Sequence, residues 1–317
     1  MSGRKRKAGA AVAAALLIAG IIPGTAAAKT TRAGAVAEAC FLVLGSVTPG
    51  GDHTSTVFRA TSPITVEPRR VYKDIYPDGQ VRLSASMASD PDVTGYQGAV
   101  SGNVVMGSTM YNSSYRVGLD GTVKSEDKGL TPVGGGWGDM TAFETVRYYP
   151  FTPNGVFGVT TQYALRADGT LFRWVVDHKN GGTWTQKQTA PGFAAVKTMA
   201  MISQTATYDT FLANTRGGAL YTIRIPRTSP MKPIVKQVRS STWQGFESLQ
   251  LEKCGQYGTL LVGIDKDTKS AYLYAVGHAN GTATVIKGLG KVPGTFADPV
   301  YFRHALRPND APMLYGE

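Results

Sequence analysis

An all-β chain assembled from repeats is what this sequence predicts, on three observations. Glycine supplies 38 of 317 residues, well above its usual share of ~7%. Tight-turn dipeptides recur between segments that alternate apolar and polar residues, the pattern of half-buried strands. Sustained helical periodicity is absent beyond the first 28 residues. Charged residues make up 17% of the chain and hydrophobic residues 42%, a balance that excludes a disordered polypeptide.

The first element is a leader. Arg4, Lys5, Arg6 and Lys7 form a basic start, Ala8 to Ile22 is uninterruptedly apolar, and Ala26-Ala27-Ala28 offers small residues for cleavage. That order reads as a secretory signal peptide over residues 1–28, of a bacterial type. The apolar stretch is short of the ~20 residues a membrane span needs, so no stable membrane insertion is expected. Cleavage removes four positive charges from the formal +11 and leaves +7. After the leader the basic residues are scattered rather than massed. The expected surface is mildly attractive to anionic polymers, and nucleic acid is not expected as a partner. Cys40 and Cys254 are the only cysteines. An even count in an exported chain suggests one disulfide, with two isolated buried thiols as the alternative.

Residues 29–317 carry the repeats. Turn landmarks fall at Asp78-Gly79, Asp120-Gly121, Asp168-Gly169, Gly217-Gly218, Asp267-Thr268 and Asn309-Asp310, spaced by 42, 48, 49, 50 and 42 residues. Asp-Gly and Gly-Gly suit two-residue hairpins because both positions accept positive φ. A second landmark is an aromatic residue that follows a small one and opens a strand: Tyr96, Phe143, Phe193, Phe246 and Phe296, spaced by 47, 50, 53 and 50 residues. Two landmarks keeping one period indicate internal repeats of about 42–53 residues, each long enough for four short strands. The expected fold is therefore a single β-propeller domain of about six blades, with five or seven open. It closes by N- and C-terminal strands sharing a blade, and a Cys40–Cys254 bond would pin the N-terminal strand there.

The stretch Val133-Gly-Gly-Gly-Trp137-Gly-Asp-Met-Thr-Ala-Phe143 resembles the blade junction of tachylectin-2-type propellers, where a Gly-Trp segment leads to a Phe that opens the inner strand. Thr152-Pro-Asn154-Gly155-Val-Phe-Gly-Val resembles the turn and second strand that follow. Ser241-Thr-Trp243-Gln-Gly-Phe246 is a shorter copy, whereas Phe193 and Phe296 lack the preceding Trp. The run Ala164-Leu-Arg-Ala-Asp168-Gly169-Thr-Leu-Phe-Arg-Trp174 is similar to repeats of chromosome-condensation-regulator propellers. The resemblance covers about residues 96–300. It implies binding of N-acetylated sugars at equivalent sites between blades.

Sugar recognition needs an aromatic face for the ring C–H groups and planar polar groups for the hydroxyls. Trp137 with Asp139, and Trp243 with Gln244, offer such pairs near repeat junctions. The competing role for each Trp is to plug the gap between adjacent blades. Trp174 reads as core, and Trp184, in a turn-like Gly181-Gly-Thr-Trp184, reads either way. Glu144 and Glu247 follow opening aromatics, and Asp298 holds a comparable place. If inner strands brought these acids together with Arg303 and His304, they would support acid–base glycoside chemistry. Solvated channel-mouth residues are the plainer reading, and no catalytic residue is assigned.

His53, His178, His278 and His304 share no metal-ligand spacing. Asp265-Lys-Asp267-Thr-Lys269 lacks the further acids of a calcium loop. Serine-hydrolase and phosphate-loop motifs are absent from the sequence. No cofactor or metal is expected. The primary expectation is a secreted, lectin-like protein whose partners are glycans or cell-wall polysaccharide. An extracellular scaffold for envelope proteins is the alternative, followed by a polysaccharide-active enzyme.

Overall fold

The computed structural model describes residues 39–149, 158–306 and 313–317. The leader, the Thr152–Phe157 part of the junction motif and the sixth turn landmark, Asn309-Asp310, lie outside the described residues.

Twenty-two strands form antiparallel stacks. Stack I contains β1 (Phe41–Val47), β2 (His53–Arg59), and the short β3 (Thr65–Val66) and β4 (Arg70–Tyr72). Stack II contains β5 (Val81–Ser84), β6 (Met87–Asp90), β7 (Gly98–Met106), β8 (Thr109–Val117) and β9 (Lys128–Gly134). Stack III is β10 (Met140–Tyr148), β11 (Val159–Arg166), β12 (Leu171–Asp177) and β13 (Thr183–Ala190). Stack IV is β14 (Val196–Gln204), β15 (Tyr208–Thr215), β16 (Leu220–Pro226) and β17 (Ile234–Arg239). Stack V is β18 (Ser248–Cys254), β19 (Gly258–Asp265), β20 (Ser270–Val276) and β21 (Ile286–Val292). The last strand, β22 (Val300–Leu306), pairs antiparallel with β1 and parallel with β6. Stacks I and II thereby join into one ten-stranded sheet, whereas III, IV and V are separate four-stranded sheets.

These sheets are arranged as blades. Their first strands lie side by side: β5 against β10, β10 against β14, β14 against β18, and β18 against β22. Side chains on each sheet face pack against the next sheet, so the core is a series of layers rather than one centre. Val104, Tyr115 and Phe302 fill the layer between stacks I and II. Val105, Trp137, Phe143 and Phe172 fill the next. A larger cluster runs through stacks III, IV and V and takes in Leu314. Leu42, Phe58, Val262 and Phe296 close the layer between V and I.

One backbone contact recurs five times among the described residues. In each stack a hairpin joins the second and third strands, and its carbonyl accepts from the N–H of an aromatic residue entering the next stack. The pairs are Gly51–Tyr76 (3.0 Å), Ser108–Trp137 (2.9 Å), Gly169–Phe193 (2.9 Å), Gly218–Trp243 (2.9 Å) and Lys269–Phe296 (3.0 Å). The described residues thus show five stacks where the turn spacing predicted about six repeats. The excess has a local cause. Asp78-Gly79 is a loop just after the Tyr76 anchor, and Asp120-Gly121 sits in the connection from β8 to β9. Neither joins a second strand to a third. The aromatic series shifts likewise: Tyr96 precedes β7, and the anchors in phase are Tyr76, Trp137 and Trp243 rather than Tyr96, Phe143 and Phe246.

Cys40 and Cys254 are bonded across 214 residues of sequence. The bond ties the residue preceding β1 to the end of β18, joining stack I to stack V. Near the end of the chain, Leu314 accepts from the Gln204 N–H and Gly316 donates to Ile202, so residues 313–317 lie along the lower end of β14. Among the described residues, no helix is long and apolar enough to cross a membrane.

Candidate functional site

The predicted sugar-binding pairs divide between core and rim. Trp137 and Trp243 are each 6% exposed and belong to the layers between stacks. Trp137 packs edge-on against Phe143 and Trp184, and Trp243 lies against Phe246 and Tyr274. Their polar neighbours Asp139 and Gln244 are exposed on the turn face. The Asp139 carbonyl accepts from Ala167 N–H, and the Gln244 carbonyl accepts from Lys197 Nζ at 2.5 Å.

The channel residues do not form one group. Glu144 and Glu247 line a cavity of about 110 Å³ at the upper end of the axis, with Gln250 and Lys266. Glu247 is held by Lys197 Nζ and by the Lys266 N–H at 2.7 Å. Arg303 makes a two-pronged contact with Glu252, both bonds 2.8 Å. Glu144 has no hydrogen-bond partner among the described residues. Burial raises its pKa to about 8, opposed by the nearby Arg303 charge. Asp298 and His304 are elsewhere. Asp298 accepts from Ser46 and Arg69 beside a second cavity, of about 260 Å³, walled by Phe58 and Phe296. His304 points between stacks I and II, where Ser89 meets Nε2 and His53 lies with ring centroids 5.2 Å apart. Burial, then the Arg70 charge, holds His304 down at about 4.

A third cavity, of about 280 Å³, opens between stacks II and III. Asn103 on β7 and Asn112 on β8 form one wall, and Thr160 and Gln162 on β11 face them. Trp184 on β13 and Arg147 on β10 complete the lining, with His178 from the β12–β13 turn at the rim. Strand alternation makes this possible. Residues two apart point to the same face, so Thr160 and Gln162 enter the cleft together. Above it the same layer turns apolar, and Trp137 contacts Trp184 with centroids 5.7 Å apart.

The polar walls form a directed chain. Thr145 donates to Gln162 Oε1 (2.6 Å), Gln162 Nε2 donates to Asn103 Oδ1 (3.3 Å), and Asn103 Nδ2 donates to Asn112 Oδ1 (2.6 Å). All three amide oxygens are therefore engaged, while amide N–H groups on each residue are left over. His178 Nε2 meets Thr160 Oγ1 at 2.8 Å. Arg147 donates to Ser86 Oγ at 3.1 Å and has no ion pair among the described residues. Burial lowers its pKa from the ordinary guanidinium value. Sequence reading left the role of Trp184 open and did not name Asn103, Asn112 or Gln162. Asn103, Asn112 and Gln162 come from three strands, and only strand register brings them together.

No protein-family model and no curated protein matches the chain. Similar solved structures include a mutant of Synechocystis apocarotenoid oxygenase, 11% identical, covering 79% of this chain and 66% of that one with a TM-score of 0.36. A mutant of NanB sialidase from Streptococcus pneumoniae is 13% identical over 80% of this chain and 50% of that one, with a TM-score of 0.37. The WD40 domain of SCAP from fission yeast is 9% identical over 79% and 70%, with a TM-score of 0.35. This chain thus spans about two thirds of the oxygenase and half of the sialidase.

Proposed function

We propose that this chain is an exported, closed five-bladed propeller that binds carbohydrate in the cleft between stacks II and III. The carrying observation is the cleft itself. An indole edge and a chain of planar amides face one space of about 280 Å³, close to the lower end of the range for ligand pockets. Sugars are bound by that combination of aromatic surface and fixed hydrogen-bond groups. Trp137, named from the sequence, takes part from behind as the packing support of Trp184. Export is supported by the leader and by the Cys40–Cys254 bond, which persists in oxidising compartments. Closure is supported by the pairing of β22 with both β1 and β6.

The channel is the weaker candidate. Its cavity of about 110 Å³ has room for a few waters, each taking about 30 Å³, rather than a pyranose ring. Of its other charges, Glu247 pairs with Lys197, and Lys266 and Arg82 donate to backbone carbonyls. The test is a glycan and cell-wall polysaccharide array, run with the native protein and with Trp184→Ala. Selective retention that is lost in Trp184→Ala supports the reading. A blank array, or retention indifferent to Trp184, overturns it and favours a scaffold for envelope proteins.

A further inference from the structure

The cleft between stacks II and III holds a charge with no counter-charge. Arg147 is its one permanent cation, and none of the side chains lining the cleft is Asp or Glu. Asp177, at the end of β12, accepts from the N–H groups of Lys179 and Asn180, at 3.0 and 3.3 Å, and forms no ion pair with Arg147 among the described residues. Only one Arg147 N–H is engaged by a neighbouring side chain, through Ser86. A guanidinium carries five N–H donors in a fork that matches a carboxylate. The amide chain adds donors, because each of its oxygens already accepts one internal bond and N–H groups remain on each residue. The cleft therefore offers amide donors and one positive charge beside the hydroxyls of Ser101, Ser113, Ser114 and Thr160. Arg147 is half-buried, and a partly desolvated cation without an ionic partner gains from an anion entering the cleft.

We infer that this cleft selects an acidic monosaccharide unit, a uronic-acid-type pyranose, with its carboxylate on Arg147 and its ring beside Trp184. The inference rests on the carbohydrate reading above and narrows it to one substrate class. The basic balance of the chain beyond the leader, +7 from the formal +11 less four leader charges, favours approach of an anionic polymer built from such units.

The test compares three probes by calorimetric titration of the purified protein: D-glucuronate, its neutral amide D-glucuronamide, and acetate. Charge-assisted hydrogen bonds are about twice as strong as neutral ones, so glucuronate should bind at least about tenfold more tightly than the amide. Arg147→Gln should abolish that difference. Trp184→Ala should weaken both sugars and spare acetate. Equal binding of glucuronate and glucuronamide overturns the acidic selectivity while leaving carbohydrate binding intact. Acetate bound as tightly as glucuronate means that only an anion is recognised, which overturns the inference. Absence of binding by both sugars removes the carbohydrate reading with it. Should Arg147→Gln fail to fold by circular dichroism, the glucuronate-to-glucuronamide ratio of the native chain decides alone.

Discussion

Glu144 sits in the axial cavity with its carboxyl group unmatched by a hydrogen bond among the described residues, and burial raises its pKa to about 8. Its stabilising contribution is present below its unfolded value, 4.5. That contribution is lost as pH rises toward 8, because the unfolded chain ionises first. At about 1.4 kcal/mol per unit, the swing is on the order of 5 kcal/mol. His53 and His304 act in the opposite sense. Burial depresses both, and the Coulombic effects of His304 on His53 and of Arg70 on His304 add to it. Their contribution is present above 6.5 and fades as pH falls toward 4. Stability should therefore peak between about pH 5 and 7, and Glu144→Gln should flatten the alkaline side alone. Urea unfolding at pH 5, 6.5 and 8 checks this, and an alkaline slope that persists in Glu144→Gln contradicts it. None of this was legible in the sequence. Glu144 and His304 stood there as possible acid–base partners, and only the inner-strand register sends one to the axis and the other into a layer between stacks.

The hairpin–aromatic clasp is the element on which the repeat depends. Gly169 has φ +83°, and a Cβ there would meet the Ala194 backbone nitrogen at 2.1 Å. Both the left-handed backbone and the close approach exclude a side chain. Gly169→Ala should cost about 2–4 kcal/mol, the positive-φ penalty plus the backbone shift. Gly79→Ala, also at positive φ but with nothing within 4 Å of the added carbon, should cost about 1 kcal/mol. Chemical denaturation of the two variants separates the clash from the dihedral. The Cys40–Cys254 bond closes a loop of over two hundred residues. Cys40→Ser should lower stability by about 3–5 kcal/mol, seen as a matching loss in the native protein under reductant. These elements show what the sequence carries and where it misleads. Asp168-Gly169 and Gly217-Gly218 lie at hairpins between second and third strands, as their flanking alternation implies. The corresponding turn at Gly107-Ser108 carries neither dipeptide, and Gly50-Gly51, which does, fell outside the marked series. Asp78-Gly79 and Asp120-Gly121 carried the dipeptide without the role. Turn chemistry reports a turn, whereas the strand it follows is set by pairing across the sheet.

At the scale of the molecule, layered packing explains both the fold and the location of the site. Each sheet buries its faces against its neighbours, so apolar residues dominate every layer, and the layer between II and III turns polar at its lower end. There Asn103, Gln162 and Thr160 are nearly fully buried. Buried polar groups are costly unless bonded, which is why their chain is continuous; its leftover donors and Arg147 are what the proposed ligand would meet. The corresponding layer between V and I satisfies its own charges through Arg69 and Asp298. The propeller architecture was legible from periodicity. The cleft was not, because its residues come from different strands of two stacks and carry no motif. The most direct measurement is a crystal structure of the protein soaked with the tightest-binding saccharide from the array. The account predicts sugar density between Trp184 and Gln162, with a carboxylate against Arg147. Density beside Phe296, or in the axial cavity at Glu144, would contradict it.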